Sequence, residues 1–514
     1  MRGVLTILAS AVALAVPGAA QAEWLEASSP NFVVYADDSE RDIGRFAEQL
    51  ELYHQAMERL TGNDLPEPSP SNRVTVYVVK NERQVQKLYG DGAKYLTGFY
   101  VPRAAGSFAI VPRVDVRAGQ PDLSMLVLLH EYAHHFLISN SRMPSPRWVG
   151  EGAAEFFASA EFPRAGGIKI GMPAYHRAGE LLYAKDVKVA QLLDPTAYSQ
   201  GTQKGFDAFY GKSWLLDHYL SLGKERPGQL RQYLTLIGRG KSSHEAGLEA
   251  FGDLDKLERE LDDYLMQRQI LTAVFGAEAF TPAKVSVRKL SQGEAAVMPL
   301  RIRSKRGVTR EQALELLPEV RKVAGSFPRD PAVLAALAEA EFDAGEDERA
   351  IAAADAALAL DPAQVNAYVQ KGFALFRKAE DAEDQDAAYK AAVAPFVALN
   401  KLENDHPLPL VYYYRSFAQR GAAPPELALH GLERAAELAP FDLGLRMEVA
   451  VSQMLAGETA AARANLLPLA FNPHGGPLAD AARQVIARLD EGAEGGEALA
   501  TSLMAVDEAE PEDD

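Results

Sequence analysis

The pattern of polar and apolar residues in the first part of the chain predicts both strands and helices. Residues 31–36 (NFVVYA) and 73–79 (RVTVYVV) are rich in β-branched and aromatic side chains, which predicts two strands. In residues 39–61, between these strands, apolar residues recur at helical spacing. Ser39 is a favourable N-cap for this helix, and Gly62 is a favourable stop.

A predicted hairpin follows, and then a long helical stretch. Gly98–Val101 and Ser107–Pro112 are short β-segments separated by a turn that contains Gly106. From residue 122 to residue 268 the apolar spacing is almost wholly helical. We therefore expect residues 23–280 to form one α+β domain, with a small mixed sheet first and helices after it.

Residues 281–308 are predicted to be a linker or a β-hairpin. Val285–Leu290 and Ala295–Arg303 could pair as two strands. The pattern assigns no function to this stretch.

Alanine and leucine dominate residues 309–491, where pairs of helices recur. Pro331 and Pro362 lie 31 residues apart, close to the period of about 34 residues in tetratricopeptide (TPR) repeats. The segment ALAEAEFDAGEDERAIAAADAALALDP resembles a TPR unit, with small residues where helices touch and Gly at the turn. A generic helical bundle is the alternative. In either case this all-α region is expected to be a scaffold or docking surface. The acidic tail, residues 492–514, is expected to be disordered.

The N-terminus has the form of a secretory signal peptide. In residues 1–22, a basic Arg2 precedes an apolar run, and a small-x-small motif ends at Ala22. Cleavage after Ala22 would place the protein in the periplasm or outside a bacterial cell; an uncleaved anchor is the alternative. No later stretch reaches 18 apolar residues, so we expect no membrane insertion after cleavage.

Composition limits the partners and the chemistry. The chain has 53 Lys and Arg against 71 Asp and Glu, which gives a formal net charge of −18. This charge argues against nucleic acid or an anionic membrane as the main partner. Cysteine is absent, which excludes disulfides, thiolate metal ligands and a thiol nucleophile.

One motif in the helical stretch indicates metal chemistry. Residues 130–134 read HEYAH, which places His130 and His134 one turn apart on one helix face. Two imidazoles at this spacing can bind one metal ion. Glu131 lies about 100° around the helix and is free to act as general base toward a metal-activated water. The alternative is a pair of core histidines without a ligand role, although burying them with no shared partner would be costly.

Two glutamates are candidates for the third ligand. The position six residues after His134, where an elongated motif would carry a third histidine, is Asn140. Residues 146–157 read PRWVGEGAAEFF, with Glu151 and Glu155 on one helix face. The spacing alone leaves both open as ligands, and it also leaves open that they are solvated surface residues. Their strongly apolar neighbours argue against a surface position.

HEYAHH followed by WVGEGAAEFF resembles the gluzincin metallopeptidases, the thermolysin and aminopeptidase N group. The resemblance implies a zincin-like fold, one Zn²⁺ per chain and Glu151 as the third ligand. It also implies that Glu155 does not bind the metal itself but makes a hydrogen bond to a ligand histidine. Sixteen residues separate His134 from Glu151, fewer than in the best-known members, and Gly150 replaces a common Asn. These departures keep Glu155 open as the third ligand.

A second segment is similar to the Tyr-x-Lys-Gly stretch of the aminopeptidase N family. Residues 210–213 read YGKS, and the similarity implies that Tyr210 donates a hydrogen bond to the oxyanion. A core tyrosine is the alternative. The resemblance also implies that an edge strand, which precedes the HExxH helix in the sequence, binds the substrate. Ser107–Val111 is the candidate for this strand. Because no acidic residue lies between Gly98 and Val114 to hold a free α-amine, we expect endopeptidase action.

The sequence thus predicts an enzyme: a secreted or periplasmic zinc metallopeptidase whose repeats dock a protein substrate or partner. Two other functions stay open. In one, the repeats make the chain a catalytically inactive binding or assembly factor. In the other, the site is a zinc hydrolase that acts on a non-peptide substrate.

Overall fold

The computed structural model describes residues 23–90, 96–114, 117–140, 145–201, 206–472 and 475–491, together with residues 500 and 503. The predicted signal peptide lies wholly outside the described residues, and the predicted acidic tail lies almost wholly outside them. Over the described residues the chain is a mixed α+β region with a six-stranded sheet, followed by a long all-helical region.

Nine strands are described. They are β1 (Trp24–Ser28), β2 (Phe32–Asp37), β3 (Val74–Val79), β4 (Phe99–Val101), β5 (Phe108–Pro112), β6 (Ala160–Glu161), β7 (Ile168–Ile170), β8 (Ala273–Phe275) and β9 (Ser286–Lys289). The main sheet has the order β4-β5-β3-β2-β1-β9, in which β2, β3 and β5 run parallel and the outer pairs are antiparallel. A small antiparallel sheet has the order β6-β7-β8.

The predicted strands β2 and β3 and the predicted hairpin β4–β5 are confirmed, but the assignment of the edge strand is wrong. Ser107–Val111 largely coincides with β5, which lies between β4 and β3 with every residue of the strand buried. The shorter strand β4 pairs antiparallel with β5 and is the edge strand of the main sheet. The turn between them places Ala105 in the left-handed region, at φ +57°.

Eleven helices are described in the first region. They are α1 (Glu40–Thr61), α2 (Glu82–Tyr89), α3 (Leu123–Asn140), α4 (Arg147–Ala158), α5 (Ala178–Tyr183), α6 (Val189–Leu192), α7 (Pro195–Gly201), α8 (Phe209–Leu222), α9 (Gln229–Gly238), α10 (Ser243–Phe251) and α11 (Leu254–Leu265). Both predicted ends of α1 are confirmed, since the Ser39 side chain accepts from the Asp42 amide and Gly62 is left-handed at φ +69°. One face of the sheet packs on α1, α3 and α4 in a single apolar core that extends to α8.

The predicted hairpin over 281–308 is wrong in its second half. Its first half forms β9, which pairs with β1. Its second half is a helix, α12 (Gln292–Lys305), which begins at a capping box formed by Ser291 and Glu294. Met298 and Ile302 of α12 cover the other face of the sheet, while Val297 and Leu300 contact the next helix. This stretch therefore joins the two regions through packed apolar contacts.

The second region is a succession of helices that pack mainly on their sequence neighbours. They are α13 (Arg310–Ser326), α14 (Pro331–Asp343), α15 (Asp347–Leu360), α16 (Val365–Glu380), α17 (Gln385–Ala392), α18 (Ala394–Leu402), α19 (Pro407–Ala418), α20 (Glu426–Leu438), α21 (Leu443–Leu455), α22 (Thr459–Ala470) and α23 (Pro477–Asp490). Alanines dominate the buried contacts between α14 and α15, so these helices approach closely. Stacked helix pairs of this kind are TPR-like. Within the described residues, no helix combines the length and apolar character that a bilayer span requires.

Candidate metal centre

Helices α3 and α4 bring three ligand-type side chains together. His130 and His134 lie one turn apart on α3, and their Nε2 atoms are 3.1 Å apart. Oε2 of Glu151, on α4, lies 3.3 Å from Nε2 of His130 and 3.4 Å from Nε2 of His134. Among the described residues, these three side chains form the group whose geometry could hold a metal ion.

This triangle has the size that a tetrahedral metal ion requires. Zinc bonds of about 2.0–2.1 Å at tetrahedral angles place neighbouring ligand atoms about 3.3–3.4 Å apart. The three observed separations lie within a few tenths of an ångström of that value. These three side chains therefore fit one zinc ion. The fourth coordination position of the tetrahedron is left for a water or substrate oxygen.

The Glu151 carboxylate also needs a cation. Its side chain is 0% exposed, and neither carboxylate oxygen accepts a hydrogen bond from any residue that the structure describes. Burial would raise the pKa of Glu151, but the adjacent imidazoles of His130 and His134 outweigh burial and hold that pKa below its usual range. Burial would likewise lower the pKa of His130, yet Glu151 and Glu155 raise it to about 10. The site thus requires positive charge, which a proton or a metal ion can supply.

Glu155 lies outside the triangle and contacts the other ring nitrogen of His130. Its Oε1 is 3.2 Å from Nδ1 of His130. Both of its oxygens have further partners: Nη2 of Arg177 donates to Oε1 at 2.5 Å, and Nε2 of His176 lies 2.6 Å from Oε2. A carboxylate in this position fixes the ring orientation and tautomer of the histidine that it contacts.

Glu131 follows His130 on α3 and is half-buried. It contributes no atom to the triangle. Burial is the main cause that raises the pKa of Tyr100 on β4, and the negative charge of Glu131 raises it further. For His130, whose pKa burial alone would lower, the charge of Glu131 adds to the raising effect of Glu151 and Glu155.

Tyr210 lies in the first turn of α8 and is half-buried. Burial raises the pKa of Tyr210, and the charge of Glu151 raises it further, which places the phenol near the triangle. Arg147 lies one turn before Glu151 on α4, and its positive charge acts in the opposite direction and lowers the pKa of Tyr210.

The structure adds three residues that the motif search did not single out: His176, Arg177 and Glu180. The first two anchor Glu155, and Glu180 accepts from Nη1 of Arg177 at 2.7 Å. The segment AYHRAGE contains no spacing that predicts this role. Only the packing of α5 against α8 brings these residues to α4.

Two other histidines of this region have structural partners. Nδ1 of His135, next to the ligand-type His134, bonds to the hydroxyl of Tyr100. His218 is buried, and its ring nitrogens lie 2.9 Å from the hydroxyl of Tyr264 and 2.9 Å from the carbonyl oxygen of Gly171.

Comparison with known proteins gives matches among solved structures alone. No protein family model matches the chain, and no curated protein sequence matches it. TTC0263, a thermophilic TPR protein of Thermus thermophilus, is similar at 18% identity and a TM-score of 0.29, over 38% of this chain and 92% of that one. A MamA RS-1 double mutant matches at 18% identity and a TM-score of 0.26, over 33% of this chain and 90% of its own. MamA matches at 15% identity and a TM-score of 0.27, over 39% of this chain and 98% of its own.

These scores are too low to carry an argument, and the TPR-like character of the second region rests on its own helix pairs. Together, fold and site define a class: an α+β region that holds a buried His-His-Glu group able to bind a metal ion, followed by TPR-like helical repeats.

Proposed function

We propose that this chain is a zinc metallopeptidase in which His130, His134 and Glu151 hold one Zn²⁺. The observation that carries the proposal is the triangle of candidate ligand atoms with separations of 3.1–3.4 Å, closed by a buried carboxylate that finds no hydrogen-bond donor within the described part of the chain. A buried anion without a donor is costly in the absence of a cation, so this arrangement favours metal binding over a structural role.

His130, His134 and Glu151 would hold the zinc ion, which would act as a Lewis acid toward the substrate carbonyl and the attacking water. Glu131 takes the proton from the attacking water on its carboxylate and passes it to the leaving amine nitrogen. Tyr210 donates its phenol proton in a hydrogen bond to the developing oxyanion. Glu155 holds Nδ1 of His130, so that Nε2 stays directed into the triangle.

The proposed substrate is a peptide bond within a polypeptide, cleaved by endopeptidase action in the periplasm or outside the cell after signal cleavage behind Ala22. The repeat region would dock that polypeptide or a protein partner, because stacked helix pairs offer extended surfaces. Support for the substrate class comes from the HExxH pattern and the resemblance built on it.

The test is metal content together with peptide cleavage, measured on the mature protein and on three variants. We expect one zinc per chain in the wild type, none in His130→Ala, and one in Glu131→Gln with cleavage reduced at least 10²-fold. His244→Ala, which changes an exposed histidine on α10, is the matched control and should behave as wild type.

Absence of zinc from folded wild-type protein supplied with zinc would refute the metal site. Bound zinc without cleavage of any peptide library, with either free or blocked N-termini, would instead refute the peptidase assignment.

A further inference from the structure

Arg177 makes contacts with both halves of the candidate site. It is the last residue of a short 3₁₀ turn, Tyr175–Arg177, just before α5. Its Nη2 donates to Glu155 at 2.5 Å, and Nη1 donates to Glu180 at 2.7 Å. Its guanidinium carbon also lies over the ring of Tyr210, 4.8 Å from the centroid. One side chain therefore contacts the carboxylate behind His130 and the proposed oxyanion donor.

The contacts on the His130 side form a short chain of charges. Arg177 and His176 each hold one oxygen of Glu155, whose side chain is only 1% exposed. Glu155 in turn lies 3.2 Å from Nδ1 of His130. With both oxygens fixed, Glu155 has one orientation available, and so has the imidazole ring that it contacts.

The contacts on the Tyr210 side fix the start of α8. Glu180 accepts from Arg177 through Oε1 and from the backbone amide of Gly211 through Oε2, at 3.1 Å. A Cβ at Gly211 would lie 2.8 Å from Cγ of Leu181, so α5 and α8 pack closely here. Arg177 thus holds Tyr210 twice, through the ring face and through the backbone of the next residue.

We propose that Arg177 is a positioning residue that couples the orientation of the ligand His130, through Glu155, to that of Tyr210. This inference rests on the proposed function for its consequence in catalysis, but its geometry can be tested without a substrate. A planar guanidinium is required, because one lysine nitrogen cannot reach Glu155 and Glu180 and also cover the Tyr210 ring.

The first test is metal affinity, measured by chelator competition with Zn²⁺ and by the absorption spectrum of the Co²⁺-loaded protein. We expect Arg177→Gln to weaken affinity about 10–100-fold and to alter the cobalt spectrum. Arg177→Lys should fail to restore either property, and His176→Gln should weaken affinity by a similar factor. Arg259→Gln, an exposed arginine on α11, is the control.

The second test is a double-mutant cycle on unfolding. Arg177→Gln should be non-additive with Tyr210→Leu, which removes the ring, and nearly additive with Tyr210→Phe, which keeps it. His176→Gln should be additive with both, because no ring contact joins His176 to Tyr210.

The two tests distinguish failure of this inference from failure of the proposed function. Wild-type protein that binds no metal refutes the proposed function and the metal half of the inference with it. Metal affinity in Arg177→Gln equal to that of a metal-binding wild type, or additivity of Arg177→Gln with Tyr210→Leu, would overturn the coupling role and leave the metal site intact.

Discussion

Three buried carboxylates on α4 and α8 are accommodated in three different ways. Glu155 has a histidine and an arginine on its oxygens, in addition to Nδ1 of His130. Glu151 has the two imidazoles of the triangle beside its carboxylate. Asp217 on α8 is 3% exposed, and among the described residues no ion pair with it is found. Burial raises the pKa of Asp217 to about 7. The first two favour the charged form, whereas Asp217 favours the neutral form.

Asp217→Asn should stabilise the protein at high pH. The pKa of Asp217 is about 7 in the folded chain and about 4 in an unfolded chain, so the folded state binds the proton more tightly. The stability that this proton gives is complete below pH about 4 and is lost as pH rises through 7. We expect wild type and variant to have similar free energies of unfolding in urea at pH 4.5. At pH 8 the variant should be more stable, by up to about 4 kcal/mol.

Asp263→Asn, at an exposed position on α11, is the control and should show no such pH dependence. Equal stability of wild type and Asp217→Asn at pH 8 would mean that Asp217 ionises at no cost in the fold.

At the scale of elements, local spacing predicted much of the site, whereas strand order and long-range anchors could not be predicted. His130 and His134 share a helix face because of their spacing alone, so sequence was sufficient. The prediction of a strand within α12 is wrong because a short apolar segment is compatible with the helical period and with the strand period. The capping box at Ser291 is the sequence signal that indicates a helix here. The anchors His176 and Arg177 reach Glu155 only through tertiary packing.

The crossing of α4 and α8 depends on Gly152. A Cβ there would lie 2.5 Å from the carbonyl oxygen of Ser213, a backbone atom that cannot move without moving α8. Gly152→Ala should therefore lower the free energy of unfolding by about 1–3 kcal/mol, because the helices must separate. It should also weaken zinc binding, since Glu151 precedes Gly152 and α8 packs against it.

Gly325→Ala is the matched control for thermal unfolding and chelator competition. Apart from its chain neighbours and its own helix backbone, no described atom lies within 4 Å of the added Cβ, so this variant should gain about 0.5–1 kcal/mol and keep its metal affinity. A Gly152→Ala protein as stable as wild type would show that α4 and α8 can adjust without cost.

At the scale of the whole molecule, the repeat region packs directly against α3 and against the hairpin β4–β5 at the edge of the main sheet. The ring of Phe441, between α20 and α21, lies 4.4 Å from that of His135 on α3. Asp442 accepts from the backbone amide of Ala104 in the β4–β5 turn at 2.8 Å. Glu403 accepts from Ser71 through both of its oxygens, at 2.9 and 2.8 Å. No sequence period predicts these contacts, because each joins residues that are far apart in the chain.

These contacts should stabilise the hairpin β4–β5 at the edge of the main sheet. Phe441→Ala combined with Asp442→Asn removes the ring that covers His135 and weakens the charged acceptor of the Ala104 amide, a bond of about 1.5–3 kcal/mol. We expect hydrogen exchange at Ala104 to become about tenfold faster or more, with smaller increases along β4. Exchange in the far repeats, α22 and α23, should be unchanged. Arg434→Ala, an exposed change on α20, should leave the turn protected as in wild type. If the turn at Ala104 is also protected from exchange in the double variant, the repeat region does not stabilise the edge strand β4. Pairing with β5 alone would then account for the protection of β4.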